Sequence, residues 1–245
     1  SIFPSDERTR EYMEAQGRGK DWVPLAADEG AEYDEQVQID LSKLEPLIAK
    51  PSSPGNVVTV REVAGIKVDQ AIVGSSVNSS FRDLMVSAMM LEGRRVHDDV
   101  NFNVNPGSRQ VIENVAQQGG LISFLASGSR VHESGCQGCI GMGQAPGTGE
   151  VSLRTFPRNF PGRSGTKDDK VYLCSPETAT AAAIFGVITD PRDLAKAMIY
   201  PRVEDPKKYI IDERSIIFPS NELRKIMIVR GPNIRPLPFL AALPD

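Results

Sequence analysis

The sequence predicts an α/β protein, a three-layer α/β/α sandwich around a mostly parallel sheet. Three observations carry that expectation. Short β-branched or apolar runs recur at 57–63, 69–74, 100–104, 151–156, 170–174 and 226–229. Stretches with helical spacing lie between several of them, at 81–91, 108–118, 121–126 and 176–187. Strands alternating with helices build parallel sheets, because a parallel crossover needs a helix to return the chain. The chain has 245 residues, 40% of them hydrophobic, enough for a sizeable core and too much for wholesale disorder.

Each element has a local reason. Residues 1–56 are acidic and irregular, and we expect them to wrap the main body, with one or two helical turns at 41–49 before the breaker cluster Pro51-Ser52-Ser53-Pro54-Gly55-Asn56. The alternating, β-branched run 57–63 reads as a strand. The apolar run 69–74 ends in small residues, and Ser79 or Ser80 can cap the helix that follows, in which Met85, Ala88, Met89 and Met90 fall at near-helical spacing. Asn105-Pro106-Gly107-Ser108 is a turn, and Gly119-Gly120 ends the helix beginning at Ser108. The Ala-rich helix 176–187 starts on a proline, which suits a first turn. Asp190-Pro191-Arg192 opens a short helix. The main body is expected over 57–230. The proline-rich residues 231–245 read as a linker to a further domain, and the abrupt start suggests a piece of a longer chain.

Composition narrows the function. Lys+Arg is 28 and Asp+Glu is 32, a formal charge of −4, which argues against a dedicated nucleic-acid binder. No apolar run approaches the roughly 18 residues of a membrane span. Three cysteines make a disulfide framework untenable and point to a reducing compartment, the cytoplasm or a mitochondrial matrix.

Three segments could carry chemistry. Glycines around Cys136-Gln137-Gly138-Cys139 let both sulfurs face one metal or cluster. A zinc knuckle would need further ligands, and only His132 is nearby. A redox dithiol would usually open a helix, whereas glycines follow here. A pair of buried thiols is the plain alternative. Arg158 and Arg163 stand five apart on a Gly/Pro-rich loop. Two guanidinium forks suit a di- or tricarboxylate, against the alternative of two solvated loop arginines. The turn at 74–80 offers backbone amides to an anion, or is simply a close-packed, serine-capped turn. Cys174 reads as core, Trp22 as packing, and His97 and His132 as ordinary histidines that could act as bases.

In order and spacing, Gly135-Cys136-x-x-Cys139-Ile140-Gly141-Met142, Arg158-Asn159-Phe160-x-Gly162-Arg163 and Leu173-x-Ser175-Pro176 resemble the aconitase and isopropylmalate-isomerase hydro-lyases. Phe3-Pro4-Ser5-Asp6-Glu7, Asn105-Pro106-Gly107-Ser108 and Ile188-Thr189-Asp190-Pro191-Arg192 extend the resemblance over nearly the whole chain, to the third, cluster-bearing domain of such an enzyme. The resemblance implies a [4Fe–4S] cluster on three cysteines, two matching Cys136 and Cys139, with its open iron polarising the substrate hydroxyl. It implies that Arg158, Arg163 and Asn78 contact substrate. Two positions depart from the pattern. Ser76 stands where the third cluster cysteine belongs, and Pro157 where asparagine is common. A neutral hydroxyl is a poor substitute for thiolate on iron, so the cluster is expected to be weakened or absent in this chain. The intact protein is expected to interconvert citrate and isocitrate through cis-aconitate, with the remaining domains of the same enzyme as partners and the catalytic base outside this chain. The alternatives are a related 2-hydroxy acid such as homoaconitate or isopropylmalate, or a cluster-free substrate- or partner-binding domain.

Overall fold

The computed structural model describes residues 3–194, 201–214, 216–219, 221–222, 227 and 229–235. Two compact units emerge, Ser1–Ile211 and Asp212–Asp245, and the sheet lies in the first.

The first helix, α1 (Glu7–Ala15), falls in the segment expected to be irregular. Asp6 caps it, accepting from the Thr9 amide at 2.9 Å, and Arg10 sits over the Trp22 ring at 5.8 Å. The turns expected at 41–49 are a 3-10 turn at Leu41–Lys43 followed by β1 (Leu47–Ala49). Pro46 explains the change, since it disfavours helix at the residue before it and cannot sit inside one. The strand expected at 57–63 is also shorter. It is β2 (Val57–Thr59), then a 3-10 turn at Val60–Val63. Thr59-x-x-Glu62 is a capping box, with the Glu62 carboxylate accepting from the Thr59 amide at 2.9 Å, and it starts a helical turn where β-branching alone would continue a strand.

The remaining elements follow the alternation: β3 (Gln70–Gly74), α2 (Phe81–Leu91), β4 (Asn101–Asn105), α3 (Arg109–Gln117), α4 (Gly120–Ser127), β5 (Arg130–Val131), β6 (Val151–Arg154), β7 (Lys170–Leu173), α5 (Pro176–Phe185) and α6 (Pro191–Leu194). Ser80 caps α2 and Ser175 caps α5, which carries Pro at its first turn. The strand expected at 226–229 falls partly outside the described residues, as does most of 231–245. No helix among the described residues is long and apolar enough to cross a membrane.

The sheet order is β2-β1-β7-β6-β3-β4-β5. From β7 to β5 every neighbour is parallel, and the β1–β2 hairpin adds an antiparallel edge. The chain runs outward from β3 through β4 to β5, then returns to lay β6 and β7 on the other side of β3. A topological switch point therefore lies between β3 and β6, and loops leaving the carboxyl ends there form a crevice.

The two faces differ. Ala71, Val73, Phe102, Val104 and Leu153 point into the main core with Leu84, Ala88, Phe124 and Ala182. Gly120 lets α4 close on α2, since a Cβ there would meet Met85 Sδ and Val115 Cγ1 at 2.8 Å. The alternate residues Gln70, Asn103, Asn105, Ser152 and Arg154 are buried yet polar. Their cover is made of loops and one 3-10 turn at Gln137–Ile140, with a small apolar cluster of Ile72, Cys139 and Phe156.

Asp190 anchors α6 from a buried position, held by Arg192 at 2.6 Å and Arg61 at 3.0 Å. The Arg192 hydrogen bond leads in holding its carboxyl below the usual range. A depressed carboxylate stabilises the fold above its unfolded pKa and loses that contribution as pH falls through the folded value. Asp190→Asn should cost about 1–2 kcal/mol at pH 7, limited by the half-exposed arginines. In thermal melts the difference from the parent should shrink once pH drops below about 4.

Candidate functional site

Four loops meet at the carboxyl edge of the parallel strands: 74–80 after β3, 105–108 after β4, 132–150 after β5 and 155–165 after β6. Thr155 fastens the switch point. Its hydroxyl accepts from the Gly74 amide and donates to the Gly74 carbonyl, both at 2.9 Å. Asn78 donates to the Thr155 carbonyl at 2.6 Å, so part of its side chain closes the turn. Gly74 has φ +137°, and a Cβ there would strike the Asn105 carbonyl, so only glycine fits. Ser75 follows at φ +90°, an uncommon conformation for a side-chain-bearing residue, and its amide donates to Asn105 O at 3.2 Å. Ser76 is exposed on this turn.

The cysteine loop packs beside it. Gly135 donates to Pro106 O at 2.9 Å, and Cys139 N–H to Cys136 O at 3.3 Å. Cys136 is exposed and Cys139 buried, both as free thiols. Gly138 permits the approach, because a Cβ there would lie 2.6 Å from Asn105 Oδ1 and 3.0 Å from the Phe156 ring.

The arginine loop closes the ring. Arg163 Nη2 donates to Cys139 Sγ at 3.2 Å, which brings two of the sequence-predicted groups into direct contact. Arg158 is exposed and has no hydrogen bond or ion pair among the described residues. Asn159 is structural. Its Nδ2 donates to Lys50 O at 2.8 Å and Val171 O at 3.2 Å, pinning the loop to the hairpin turn and to β7.

Other sequence candidates fall elsewhere. Cys174, after β7, packs against the helix-face core, and burial pushes its thiol up. His97 is exposed ahead of β4, at the other edge of the sheet. His132 follows β5 with Nε2 3.3 Å from Asn103 Oδ1; burial, then Arg130, lowers its pKa, so the ring is neutral at pH 7.

Two residues escape a sequence reading. Asn105 is 0% exposed, yet neither polar atom of its side chain has a partner. Arg154 is also 0% exposed. Burial lowers its pKa to about 10, with Asp169 opposing, so it is charged at pH 7. The signals were an asparagine before the Pro106-Gly107 turn and a cation closing the apolar run 151–154; neither alone distinguishes a buried site group from a strand end.

The donor set can be tested against the cluster. Orphaned polar atoms at Asn105 and at Arg163 Nε suit a polar or anionic occupant. A three-thiolate [4Fe–4S] site is a different matter. Only Cys136 and Cys139 lie on these loops, Ser76 offers a neutral hydroxyl, and no group of three His, Cys, Asp or Glu among the described residues could hold a metal ion. The residues do not fit the three-thiolate cluster. A cleft of about 440 Å³ at the opposite edge is lined by Asp69, Asp98, Asp99 and Glu150, the wrong sign for a carboxylate.

The architecture is that of a doubly wound α/β domain, with the cysteine and arginine loops at the switch point where such sheets place their ligand sites. A family model described as the aconitase family (aconitate hydratase) matches residues 1–66 and 61–186, and the chain belongs to that family. Family members generally carry a [4Fe–4S] cluster. The chain is 44% identical over 193 residues to the 3-isopropylmalate dehydratase large subunit 1 of Methanopyrus kandleri, covering 78% of this chain and 46% of the relative. Large subunit 1 of the Thermotoga maritima enzyme is 40% identical over 194 residues, 78% of this chain and 46% of the relative. Large subunit 2 from Archaeoglobus fulgidus is 39% identical over 193 residues with the same coverage. The chain spans about half the length of the curated relatives it matches.

Two outcomes follow from this geometry. Asn159→Ala should destabilise the protein by about 2–3 kcal/mol in denaturant titrations, because it leaves two carbonyls without their donor. Anaerobic reconstitution should give clearly fewer than four irons per chain, and Ser76→Cys should raise the iron and sulfide content by supplying the missing thiolate.

Proposed function

We propose that this chain is the carboxylate-binding body of an aconitase-family hydro-lyase, acting in a longer protein or assembly on a 2-hydroxy di- or tricarboxylate. The observation that carries the reading is the arginine loop at the switch point, with Arg163 fixed on Cys139 and Arg158 exposed without an ionic partner. Residues 57–230 form the site-bearing body in this proposal, and other domains or subunits complete the pocket.

The chemistry expected of these residues is binding and orientation. Removal of water from a 2-hydroxy acid takes a proton from the carbon beside a carboxylate and expels hydroxide from its neighbour. Negative charge grows on that carboxylate as the proton leaves. A guanidinium fork holds it bidentately and stabilises the added charge more than it stabilises the ground state. Asn78 and Ser76 flank the same crevice and would contact the remaining polar groups of the substrate.

The relatives favour the isopropylmalate alternative over citrate, since the three described above are named as 3-isopropylmalate dehydratases. A second reading, a cluster-free binding domain on this scaffold, is favoured by Ser76. The full-length protein separates them. Turnover of 3-isopropylmalate with a higher kcat/KM than citrate supports the first, whereas binding without turnover supports the second. Arg158→Lys and Arg163→Lys should each lower kcat/KM, or affinity where there is no turnover, by about 1–3 kcal/mol, because an ammonium cannot replace a fork. Unchanged values in both variants would remove the arginine loop from the site.

A further inference from the structure

We infer that Arg154 is a positioning residue that sets the cysteine loop and the arginine loop relative to one another. The donors of its guanidinium divide between sheet and loops. Nε donates to Ser152 Oγ at 2.8 Å and Nη2 to Gln70 Oε1 at 3.0 Å, which fixes the group to β6 and β3. Nη1 reaches the other way, to Gly138 O at 3.1 Å and to Ser164 Oγ. Gly138 immediately precedes Cys139, and Ser164 immediately follows Arg163. One nitrogen thus ties the neighbours of the two groups that touch at 3.2 Å.

The chemistry of the partners supports a positioning role over a purely stabilising one. A buried charge is costly unless paired, and all four acceptors are neutral. Asp169 interacts with Arg154 across space but makes no hydrogen bond to it, and its buried Oδ2 has no partner at all. A neutral donor could fill the space more cheaply. What the guanidinium supplies is a rigid planar fork that spans the sheet and both loops, which the single nitrogen of lysine cannot do. Gln70 reinforces the frame by accepting from Ser152 Oγ at 2.7 Å and donating to Gln144 O at 3.2 Å.

The test reads the loops directly. In a Cys136→Ser background, Cys139 and Cys174 are the remaining thiols of residues 1–245, and the iodoacetamide labelling rates of these two are followed by mass spectrometry on the folded protein. Cys139 is 3% exposed, so its labelling reports local opening of the cysteine loop, whereas half-buried Cys174, whose amide donates to Arg154 O at 2.9 Å, reports loosening of the sheet beneath. Arg154→Met should speed Cys139 labelling by about tenfold and leave Cys174 within about twofold. Arg154→Lys should fall between, keeping charge without the fork. Ser164→Ala, which leaves the sheet anchors intact, should speed Cys139 alone by about threefold and covers the case in which Arg154→Met fails to fold. Equal acceleration of both thiols, or of neither, would overturn the assignment. A binding arm with citrate and 3-isopropylmalate rests on the proposed function, and both affinities should drop in the Arg154 variants. If the parent binds neither acid, the functional reading fails while the labelling result still decides the role of Arg154.

Discussion

The switch point depends on one side chain reaching across two strands. Thr155 holds Gly74 by both its amide and its carbonyl, so the carboxyl ends of β3 and β6 are locked at the place where the chain changes direction. Two of the candidate site's loops hang from these two ends. The β3 end leads into the turn with Ser76 and Asn78, and the β6 end leads into the arginine loop. Glycine at 74 is required by its φ of +137° and by the Asn105 carbonyl beside it. A larger residue would separate the strand ends and with them the two halves of the crevice.

Electrostatics then orients the molecule. The net charge is −4, yet the carboxyl edge carries Arg158, Arg163 and the buried Arg154, while the opposite edge carries Asp69, Asp98, Asp99 and Glu150. The two ends of the sheet thus differ in sign, with Lys67 pairing to Asp99 at 3.2 Å at the acidic end. Local arrangement outweighs net charge, because fields fall off within about 10 Å in salt and focus in crevices with low-dielectric walls. The polar lower face of the sheet is what makes this possible. It admits a buried cation because Ser152, Gln70, Gly138 and Ser164 meet its donors.

Much of this was legible in the sequence, and the failures have physical reasons. The alternation of strands and helices survives intact from Gln70 to Leu194, because caps such as Ser80 and Ser175 and breaks such as Gly119 act locally. The first 63 residues were misjudged in detail. Thr59-x-x-Glu62 and Pro46 impose short-range rules that override β-branching and apolar spacing over three or four residues. The cysteine and arginine motifs were visible as motifs, but their contact was not, since Cys139 and Arg163 meet only through long-range packing. Arg154 and Asn105 were invisible as site residues for a related reason. Whether a polar residue ending a strand faces solvent or a buried crevice depends on which face the loops cover, and alternation alone does not say.

Ser76 separates two functions that the motifs present together. In the thiol half, the resemblance puts a third thiolate where Ser76 offers a neutral hydroxyl, a poorer ligand for iron. The arginine half departs from the family pattern only at Pro157. Arg158 and Arg163 remain, Asn159 pins their loop to the hairpin, and Arg154 ties that loop to the cysteines. A buried guanidinium costs stability unless its donors are met, and here four neutral acceptors meet them. With every guanidinium nitrogen hydrogen-bonded beneath the cysteine loop, Arg154 fixes the placement of the two loops by geometry that does not depend on a metal.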